Sequence, residues 1–495
     1  MKKAVLAAFA AAFAARGFCE VPDEKATPES QGVSSRAVLD WIDACEKKLK
    51  YMHGFVIRRH GKVIAEGSWK PFDTLNETHM LYSHSKSFVS TAIGMLTEEK
   101  KLDLDERVAD IFPDKLPPNA GENLREVRIR DLLTMNFGAA PDHQLRSAGG
   151  DWAATALAKK IEHRPGTFFR YDSDATYLLS AAIMRRSGQT VMEYLKPRLF
   201  GPIGIEKAWS TCSPQGIPCG GWGMNMTTRE ISRFGQWLLN EGAWNGRQLV
   251  SRDWVRLATA KQTRSGWGGR HMEDHPESDW YQGYCFQFWR CRHNCYRADG
   301  ADGQYTIVMP EQDAVVSLHA GLDDLALEQN LVWEHLLPAM GKAPLAENAE
   351  LSAKLSERCA SLAIAPVAGS AEGGAWLPGA TVAFPENKRG YRHVRFEKAP
   401  GGWTCRMATP AGEFEFPVGY GEWRKGFVTI DPGGVECLNM IIGRQPIASS
   451  AAFDENGDFV FRAHLTGTTT GMDFKLTATG GKARVTGTVC KTVFK

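Results

Sequence analysis

The order of strand-like and helix-like segments constrains the fold of this 495-residue chain more than any other feature. Residues 53–59 and 62–69 alternate in polarity around His60-Gly61, a pattern typical of a β-hairpin. A long helical region follows, and strand patterns then return at 283–290, 295–298, 304–309 and 314–319, before a helix over 325–337. We therefore predict a mixed α/β (α+β) fold, in which an antiparallel sheet assembled from both ends of this region is flanked by helices, with a helical insert beside it.

The helical region contains several segments with helical periodicity. They cover residues 34–49, which precede the hairpin, and 129–135, 152–162, 176–186, 191–199 and 228–240. The last segment begins with Thr227 and Glu230, whose spacing is that of a capping box at a helix start. These helices are expected to cover the sheet and to form the insert.

The composition of the chain changes near Ala346. Ala, Ser, Gly and Pro dominate residues 343–379, and short alternating runs such as 414–418 and 459–463 then continue to the end of the chain. With 43% hydrophobic residues, the chain has enough apolar material for two cores. We predict a larger domain over 20–345 and a smaller C-terminal all-β accessory domain over 346–495.

The first residues resemble a targeting segment. Met1-Lys2-Lys3 precedes an apolar stretch that is too short to span a bilayer, which predicts a secretory signal peptide over residues 1–19 and a secreted or periplasmic protein. Without Lys2, Lys3 and Arg16, the 59 basic residues fall to 56 against 57 acidic residues. We therefore expect no nucleic-acid partner, and no second apolar segment predicts a membrane span.

The eleven cysteines are compatible with disulfides in an exported protein. Cys291 and Cys295 lie between two strand patterns, and Cys212 and Cys219 bracket a Pro/Gly loop, so each pair is a plausible short-loop disulfide. A metal site is not predicted, because the closest approximation, His271 with His275, lies in a Gly-rich loop without helical periodicity. No cofactor is expected.

The sequence Ser83-His84-Ser85-Lys86 at the start of an apolar stretch is the strongest chemical signal. Ser83 and Lys86 are one helical turn apart, so a hydroxyl and an amine can share a proton on one helix face. The unpaired N–H groups at a helix start also favour a developing anion. Ser-x-x-Lys is a loose pattern on its own, but Ser83 is the only serine in this chain with a lysine three residues later.

Further motifs accompany this pair, and together they resemble one known superfamily. They lie at residues 81–88, 129–135, 165–173, 220–224 and 300–304. In order and spacing, residues 25–340 resemble the serine β-lactamase-like superfamily, which includes class C β-lactamases, D-amino-acid-specific peptidases and penicillin-recognising esterases. The resemblance implies a β-lactamase/DD-peptidase-like fold with the catalytic cleft between the sheet and the insert.

The resemblance also implies roles for individual residues. Ser83 corresponds to the acylated nucleophile and Lys86 to the amine that takes its proton. Tyr171, which follows Pro165-Gly166-Thr167, corresponds to the tyrosine that assists proton transfer to the leaving group. The backbone N–H groups of Ser83 and Ala301 would form the oxyanion hole.

Two motifs depart from the family pattern, and both are expected to contact substrate. Ser173 stands where the family usually has asparagine, and Ala298-Asp299-Gly300 replaces Lys or His, then Thr or Ser, then Gly. Loss of the cation and hydroxyl disfavours anionic β-lactams and favours esters, neutral amides or substrates with an amine near the scissile bond. Because residues two apart share a strand face, Arg297 is expected to pair with Asp299.

These observations predict a secreted, metal-independent serine hydrolase that cleaves a carboxylic ester or small amide. Two enzymatic alternatives are a D-stereospecific peptidase and a β-lactamase. A third alternative, from another class, is a non-catalytic penicillin-binding-like receptor in which the C-terminal domain mediates recognition. The retention of Ser83, Lys86 and Tyr171 favours an enzyme.

Overall fold

The computed structural model describes most of the chain. The described residues are 23–140, 145, 149–266, 275–387, 390–409, 412–430, 443–479, 482–489 and 492–494. The predicted signal peptide over 1–19 lies outside them, as do His271 and Cys19. Within these residues, no helix combines the length and the apolar character that crossing a membrane requires.

The strands of the first part of the chain begin with the predicted hairpin. They are β1 Met52–Arg59, β2 Lys62–Ser68, β3 His79–Met80, β4 Trp209–Ser210, β5 Met224–Met226, β6 Ala243–Trp244, β7 Arg247–Gln248, β8 Trp289–Arg290, β9 Tyr296–Gly300, β10 Gln304–Met309 and β11 Ala314–Ala320. His60 and Gly61 have φ angles of 47° and 79°, as a tight hairpin turn with two left-handed residues requires. In the described residues, six strands form an antiparallel sheet in the order β2-β1-β11-β10-β9-β8.

Helices cover this sheet and form the insert, and two further helices follow the last strand. The α-helices are α1 Ser35–Lys48, α2 Ser85–Glu98, α3 Val108–Ile111, α4 Glu122–Glu126, α5 Ile129–Leu133, α6 Trp152–Leu157, α7 Ser173–Ser187, α8 Val191–Leu195, α9 Gly201–Ile203, α10 Thr228–Leu239, α11 Arg252–Thr259, α12 Leu325–Leu331 and α13 Ala349–Ser361. Single π-helical turns extend α8 and α12 over Lys196–Phe200 and Val332–Leu336. The predicted capping box at Thr227 and Glu230 is present.

The two faces of the sheet are buried by different helices. A Cβ atom added at Gly235 of α10 would lie 2.5 Å from Thr306 and 2.6 Å from Val315, so glycine allows this helix to approach the sheet closely. On the other face, Trp41 of α1 packs edge-on against Phe55, with ring centroids 5.0 Å apart. The sheet is therefore a layer between two apolar cores, in agreement with the predicted sheet that is flanked by helices.

The C-terminal part of the chain forms a second sheet. Its strands are β12 Thr381–Ala383, β13 His393–Ala399, β14 Gly402–Thr409, β15 Gly412–Gly419, β16 Arg424–Ile430, β17 Gly443–Phe453, β18 Phe459–Leu465, β19 Gly471–Thr479, β20 Lys482–Val489 and β21 Thr492–Phe494. The strands pair in chain order with one exception. β15 pairs with β17 in parallel, and β16 also pairs with β17. Phenylalanines such as Phe396, Phe461 and Phe474 fill its separate core. This all-β unit and the helix-flanked sheet confirm the predicted mixed α/β class.

Helix α13 follows the predicted division at residue 345 and packs on the first sheet. Its Leu355, together with Leu362 just after it, is buried in the same core as Phe55 and Trp69. The division between 345 and 346 stays a prediction, and the structure adds that this helix contributes to the packing of the first sheet.

Two predicted elements are shorter than expected. The helix expected over 152–162 ends at Leu157, because Lys160 pairs through its carbonyl with the N–H of Ala140 and Lys159 turns into a buried cluster of charges. The strand expected over 283–290 is reduced to Trp289–Arg290, because Gly283 and Gln287 have left-handed φ angles of 123° and 65° that interrupt an extended run.

The two plausible disulfides are not formed. Cys212, Cys291 and Cys295 are free thiols, so neither the Cys212–Cys219 nor the Cys291–Cys295 bond is present. The thiol of Cys291 instead accepts a hydrogen bond from Arg297 at 3.1 Å, and that of Cys295 donates to the carbonyl of His293 at 3.2 Å. Cys291 therefore contacts a buried arginine and Cys295 a backbone carbonyl, and the short-loop pairing prediction was wrong.

Candidate active site

The segment that carries Ser83 is a tight turn before α2. Residues Tyr82–His84 form a single 3-10 turn, and Tyr82 adopts a left-handed φ of 47°. The hydroxyl of Ser85 donates to the carbonyl of Tyr82 at 2.7 Å and accepts from the N–H of Met224 at 3.1 Å. Ser83 therefore lies at the start of the predicted helix, in a turn that α2 and β5 hold from both sides.

Ser83 and Lys86 are in direct contact. The Nζ atom of Lys86 lies 2.9 Å from the Ser83 hydroxyl, 3.0 Å from the Ser173 hydroxyl and 2.6 Å from the carbonyl of Gly221. Lys86 is only 1% exposed. The Gly221 carbonyl can only accept, whereas a hydroxyl can donate or accept, so this arrangement suits both a charged and a neutral amine. A proton can therefore move between Ser83 and Lys86 without a change of partners.

Gly221 and Ser173 fit together without space for a side chain. A Cβ atom added at Gly221 would lie 2.7 Å from the carbonyl of Ser173, which begins α7. Ser173 itself is buried, and its hydroxyl points at Lys86. A serine in the position of the family's asparagine therefore still contacts the amine.

Tyr171 lies beside the same amine. The Lys86 Nζ atom is 4.8 Å from the centroid of the Tyr171 ring, within the range of a cation–π contact. The ring is half-buried and stacks on Trp289 at 5.5 Å, while Tyr284 meets it edge-on at 6.0 Å. The structure thus brings Tyr171 to Ser83 and Lys86, although it is far from both along the chain.

A buried cluster of charges flanks Tyr171 and Ser173. Lys159 Nζ lies 2.7 Å from a carboxylate oxygen of Asp172 and 3.2 Å from one of Asp174, and these three side chains are 2%, 4% and 3% exposed. Asp172 also caps α7 by accepting from the N–H of Asp174 at 2.8 Å. The cluster fixes the backbone between Tyr171 and Ser173. Sequence analysis missed Lys159, and the only available signal was the pair of carboxylates at a helix start.

His84 is not placed to act as a base. Its ring is fully buried and stacks on Phe88 at 5.9 Å. Within the described residues, neither ring nitrogen has a hydrogen-bond partner, and burial lowers the pKa of His84 to about 3. His84 therefore remains neutral near pH 7 and contributes packing beneath the turn.

Arg297 and Asp299 pair as expected. The Nε and Nη2 atoms of Arg297 lie 2.8 and 2.7 Å from the same Asp299 oxygen. Arg297 is fully buried, and its guanidinium lies 4.7 Å from the ring centroid of Trp280. Burial raises the pKa of Asp299, and the charges of Arg297 and Lys86 oppose that rise. The carboxyl group therefore faces the site with its charge largely compensated.

Gly300 brings the end of β9 against the nucleophile turn. A Cβ atom added at Gly300 would lie 2.1 Å from the carbonyl of Leu81, so no other residue fits this contact. Ala301 follows in an exposed turn, where Asp302 and Gly303 have φ angles of 62° and 93°. The segments that carry Ser83 and Ala301, the two predicted oxyanion-hole residues, are therefore adjacent.

The described residues contain no group of three or more His, Cys, Asp or Glu side chains arranged to hold a metal ion. A cavity of about 1150 Å³ does occur elsewhere, between β2, α13 and the C-terminal sheet. Its lining includes Glu66, Lys70, Cys359 and Trp423 but neither Ser83 nor Lys86. We place the candidate chemistry at Ser83, because there a serine hydroxyl contacts a buried amine.

The chain is similar in sequence to several known proteins. The family model described as Beta-lactamase matches residues 43–329, more than half of the chain. A 6-aminohexanoate-dimer hydrolase of Paenarthrobacter ureafaciens is 26% identical over 260 residues, which are 49% of this chain and 66% of the relative. Penicillin-binding protein 4 of Amycolatopsis lactamdurans is 30% identical over 134 residues, 26% of this chain and 34% of the relative. The matched segments thus span less than two thirds of either relative.

A solved structure shows the same fold. The Putative 6-aminohexanoate-dimer hydrolase from Bacillus anthracis superposes with a TM-score of 0.53 at 20% identity. The superposition covers 65% of this chain and 89% of that chain. At this identity the likeness concerns the fold alone.

Proposed function

Because this chain belongs to the beta-lactamase family, we propose that it is a serine hydrolase that cleaves a carboxylic ester or a small amide through an acyl-enzyme on Ser83. One observation carries the proposal: the buried Lys86 amine lies 2.9 Å from the Ser83 hydroxyl. A serine hydroxyl is a weak nucleophile unless an adjacent base accepts its proton. A receptor that does not turn over substrate would not need this contact.

In the first half of the reaction, the Ser83 oxygen attacks the carbonyl carbon of the substrate while its proton passes to Lys86. The developing oxyanion accepts hydrogen bonds from the N–H groups of Ser83 and Ala301. Tyr171, beside Lys86, relays a proton to the leaving alcohol or amine as the carbonyl–leaving-group bond breaks. The product remaining on the protein is an ester of Ser83.

In the second half, water attacks the acyl carbon and gives up its proton to the Lys86–Tyr171 pair. The Ser83 oxygen leaves and takes that proton back, so the acid is released and the residues return to their starting states. The Ser173 hydroxyl, 3.0 Å from Lys86, keeps the amine aimed at Ser83 in both halves.

The charges around the cleft support neutral or amine-bearing substrates. Asp299 stands where related enzymes carry a hydroxyl, and Ala298 replaces their cation, so a substrate carboxylate finds no matching charge at that strand. Asp299 is paired with Arg297, which reduces but does not remove its attraction for an ammonium group. One relative is named for the 6-aminohexanoate dimer, which supports including this compound among the test substrates.

The proposal is tested with a fluorophosphonate probe and a substrate panel of short-chain nitrophenyl esters, D-amino-acid amides, the 6-aminohexanoate dimer and nitrocefin. Ser83→Ala should abolish both labelling and turnover, whereas Ser356→Ala, at an exposed serine on α13, should change neither. The preferred substrate distinguishes an esterase from a D-peptidase and a β-lactamase. Labelling without turnover would favour the receptor, and a wild-type protein that neither labels nor turns over substrate would refute the catalytic assignment.

Export is a separate part of the proposal. The charged and apolar pattern over residues 1–19 supports secretion or delivery to a periplasm. Expression of the full chain in a bacterial host, followed by cell fractionation and N-terminal sequencing, should yield an exported protein that begins between residues 15 and 20. A full-length protein retained in the cytoplasm would contradict it.

A further inference from the structure

The C-terminal domain reaches the active site at one side chain. Thr469 lies in the loop between β18 and β19, and its hydroxyl is 2.6 Å from an Asp302 carboxylate oxygen and 2.8 Å from the hydroxyl of Tyr82. Tyr82 directly precedes Ser83, and Asp302 directly follows Ala301. One hydroxyl from a distant part of the chain therefore joins the two turns that would supply the oxyanion hole.

The direction of these hydrogen bonds follows from the groups involved. A carboxylate can only accept, so the single hydroxyl hydrogen of Thr469 points to Asp302. The Tyr82 hydroxyl must then donate to the Thr469 oxygen. The result is a directed chain from Tyr82 through Thr469 to Asp302, in which the charged acceptor strengthens both bonds.

The backbone around these residues needs such support. Tyr82 and Asp302 have φ angles of 47° and 62°, a left-handed conformation that residues other than glycine rarely adopt. Such conformations persist only where surrounding contacts hold them. Rotation at Tyr82 would turn the peptide group that carries the Ser83 N–H. Rotation at Asp302 would shift the turn that carries Ala301 and so misplace its N–H.

The loop that carries Thr469 is itself firmly docked. The N–H of Met80 donates to the carbonyl of Gly467 at 2.8 Å. The Met80 side chain is buried in the core of the C-terminal sheet, and Tyr82 packs against that core. The strand before the nucleophile is thus part of both domains, which fixes Thr469 relative to Ser83.

We propose that Thr469 is a positioning residue of the oxyanion hole, so that the C-terminal β domain completes the catalytic site instead of lying beside it. This inference rests on the proposed hydrolase function. Thr469 acts through Tyr82 and Asp302 and does not itself contact the reacting atoms.

The test compares Thr469→Val, which removes the hydroxyl but keeps the shape, with Thr469→Ser, which keeps the hydroxyl. Thr469→Val should lower kcat per titrated active site by about 10- to 100-fold and change KM by less than about 3-fold, because a small misplacement mainly affects transition-state binding. Thr469→Ser should stay within about 3-fold of the wild type. Thr429→Val, the same change at an exposed strand position of the domain, should have no effect.

Two further readouts separate positioning from a merely structural role. The affinity for a boronic acid transition-state analogue should fall in Thr469→Val by about the same factor as kcat/KM. The midpoints of the pH–rate profile should not move, since Lys86 and Tyr171 are untouched. Tyr82→Phe removes the same hydrogen bond from the first domain, so it tests the inference even where Thr469→Val fails to fold, and the double variant should be no slower than Thr469→Val.

The outcomes distinguish this inference from the proposed function. Active wild type with unchanged kcat in both Thr469→Val and Tyr82→Phe would overturn the positioning role and leave the hydrolase intact. A loss that appears only as fewer titratable sites, with normal kcat per site, would also overturn it. A wild type without labelling or turnover would overturn both.

Discussion

Two lysines in this protein each pair with two aspartates at similar distances, but one lysine is buried and the other is partly exposed. Lys159, beside the candidate active site, lies 2.7 and 3.2 Å from the carboxylates of Asp172 and Asp174, and its side chain is 2% exposed. Lys475, on the C-terminal sheet, lies 2.7 and 3.2 Å from those of Asp454 and Asp458, and its side chain is 36% exposed. The two clusters have equal distances between their charged atoms. Because only the first is buried, we expect only the first to contribute strongly to stability.

The two clusters differ because only the exposed carboxylates can be hydrated when their lysine is removed. Without Lys475, Asp454 and Asp458 remain hydrated, and water replaces the lost partner. Without Lys159, two carboxylates would remain in a region that water does not reach, where an unpaired charge is strongly disfavoured. The cluster beside the active site therefore specifies one backbone path for residues 171–174, whereas the surface cluster adds little.

A third lysine extends the comparison and gives the largest expected effect. Lys86 is also buried, but the acceptors that the structure gives its amine are two hydroxyls and a carbonyl. Lys86→Met should lower kcat/KM by about 10³- to 10⁴-fold, since Ser83 loses its base. The free energy of unfolding should change by less than about 1 kcal/mol, because Asp299, whose charge Lys86 also compensates, keeps its ion pair with Arg297.

Ester hydrolysis and urea unfolding check this prediction, with the exposed Lys47→Met as control. Strong destabilisation of Lys86→Met, at preserved activity per folded molecule, would show that this lysine resembles Lys159 and would contradict its catalytic role.

Lys159→Met tests the buried cluster directly. It should lower the free energy of unfolding by about 3 to 5 kcal/mol, because Asp172 and Asp174 lose their partner while remaining buried. Urea unfolding measures the change. The double variant with Asp172→Asn and Asp174→Asn should recover part of the loss, and a loss below about 1 kcal/mol would show that burial does not distinguish the two clusters.

Buried histidines near the contact of the first part of the chain with the C-terminal sheet stay neutral, because burial outweighs the effect of nearby carboxylates. His53 and His79 share a hydrogen bond at 3.0 Å, and burial lowers the pKa of His79 to about 4 and that of His464 to about 3. An unfolded histidine has a pKa of about 6.5. Between about pH 4 and 6.5 the unfolded chain therefore binds more protons, so stability is full above that range and decreases as the pH falls through it.

The expected contribution of His79 is a loss of about 3 kcal/mol between pH 6.5 and pH 4. Urea unfolding at several pH values should give a shallower pH dependence for His79→Gln than for the wild type. His60→Asn, at the exposed hairpin turn, should leave the dependence unchanged. Equal slopes in His79→Gln and the wild type would contradict the neutral buried state.

The smallest effect is expected at the surface. Lys475→Met should lower the free energy of unfolding by less than about 1 kcal/mol. Because exposed charges are screened by salt, the difference from the wild type should shrink further in about 0.5 M sodium chloride. A loss as large as that of Lys159→Met would remove the distinction between the two clusters.

Much of the fold could be predicted because its signals are local. The hairpin at His60-Gly61, the strand over 304–309 and the capping box at Thr227 depend on residues within one or two turns of each other. The disulfide prediction failed because spacing along the chain does not report whether two thiols face each other. In the fold, the thiol of Cys291 accepts a hydrogen bond from Arg297 instead.

In the candidate site, too, the residues with local signals were predicted and those that depend on tertiary contacts were not. Ser83 and Lys86 were visible because a helix start places residues three apart on one face, and Arg297 with Asp299 because a strand does so for residues two apart. Lys159 escaped notice because the helix that the sequence predicted there ends early. Thr469 escaped notice because 387 residues separate it from Tyr82.

The sequence by itself determined the order of elements, the strand-rich C-terminal part and the Ser-x-x-Lys pair, since these follow from periodicity and short spacing. Only the tertiary structure decided which charges are buried, which cysteines stay free and that a C-terminal loop contacts the turn before the nucleophile. These depend on contacts between distant segments, whose energies are set by burial and by the partners that remain when water is excluded.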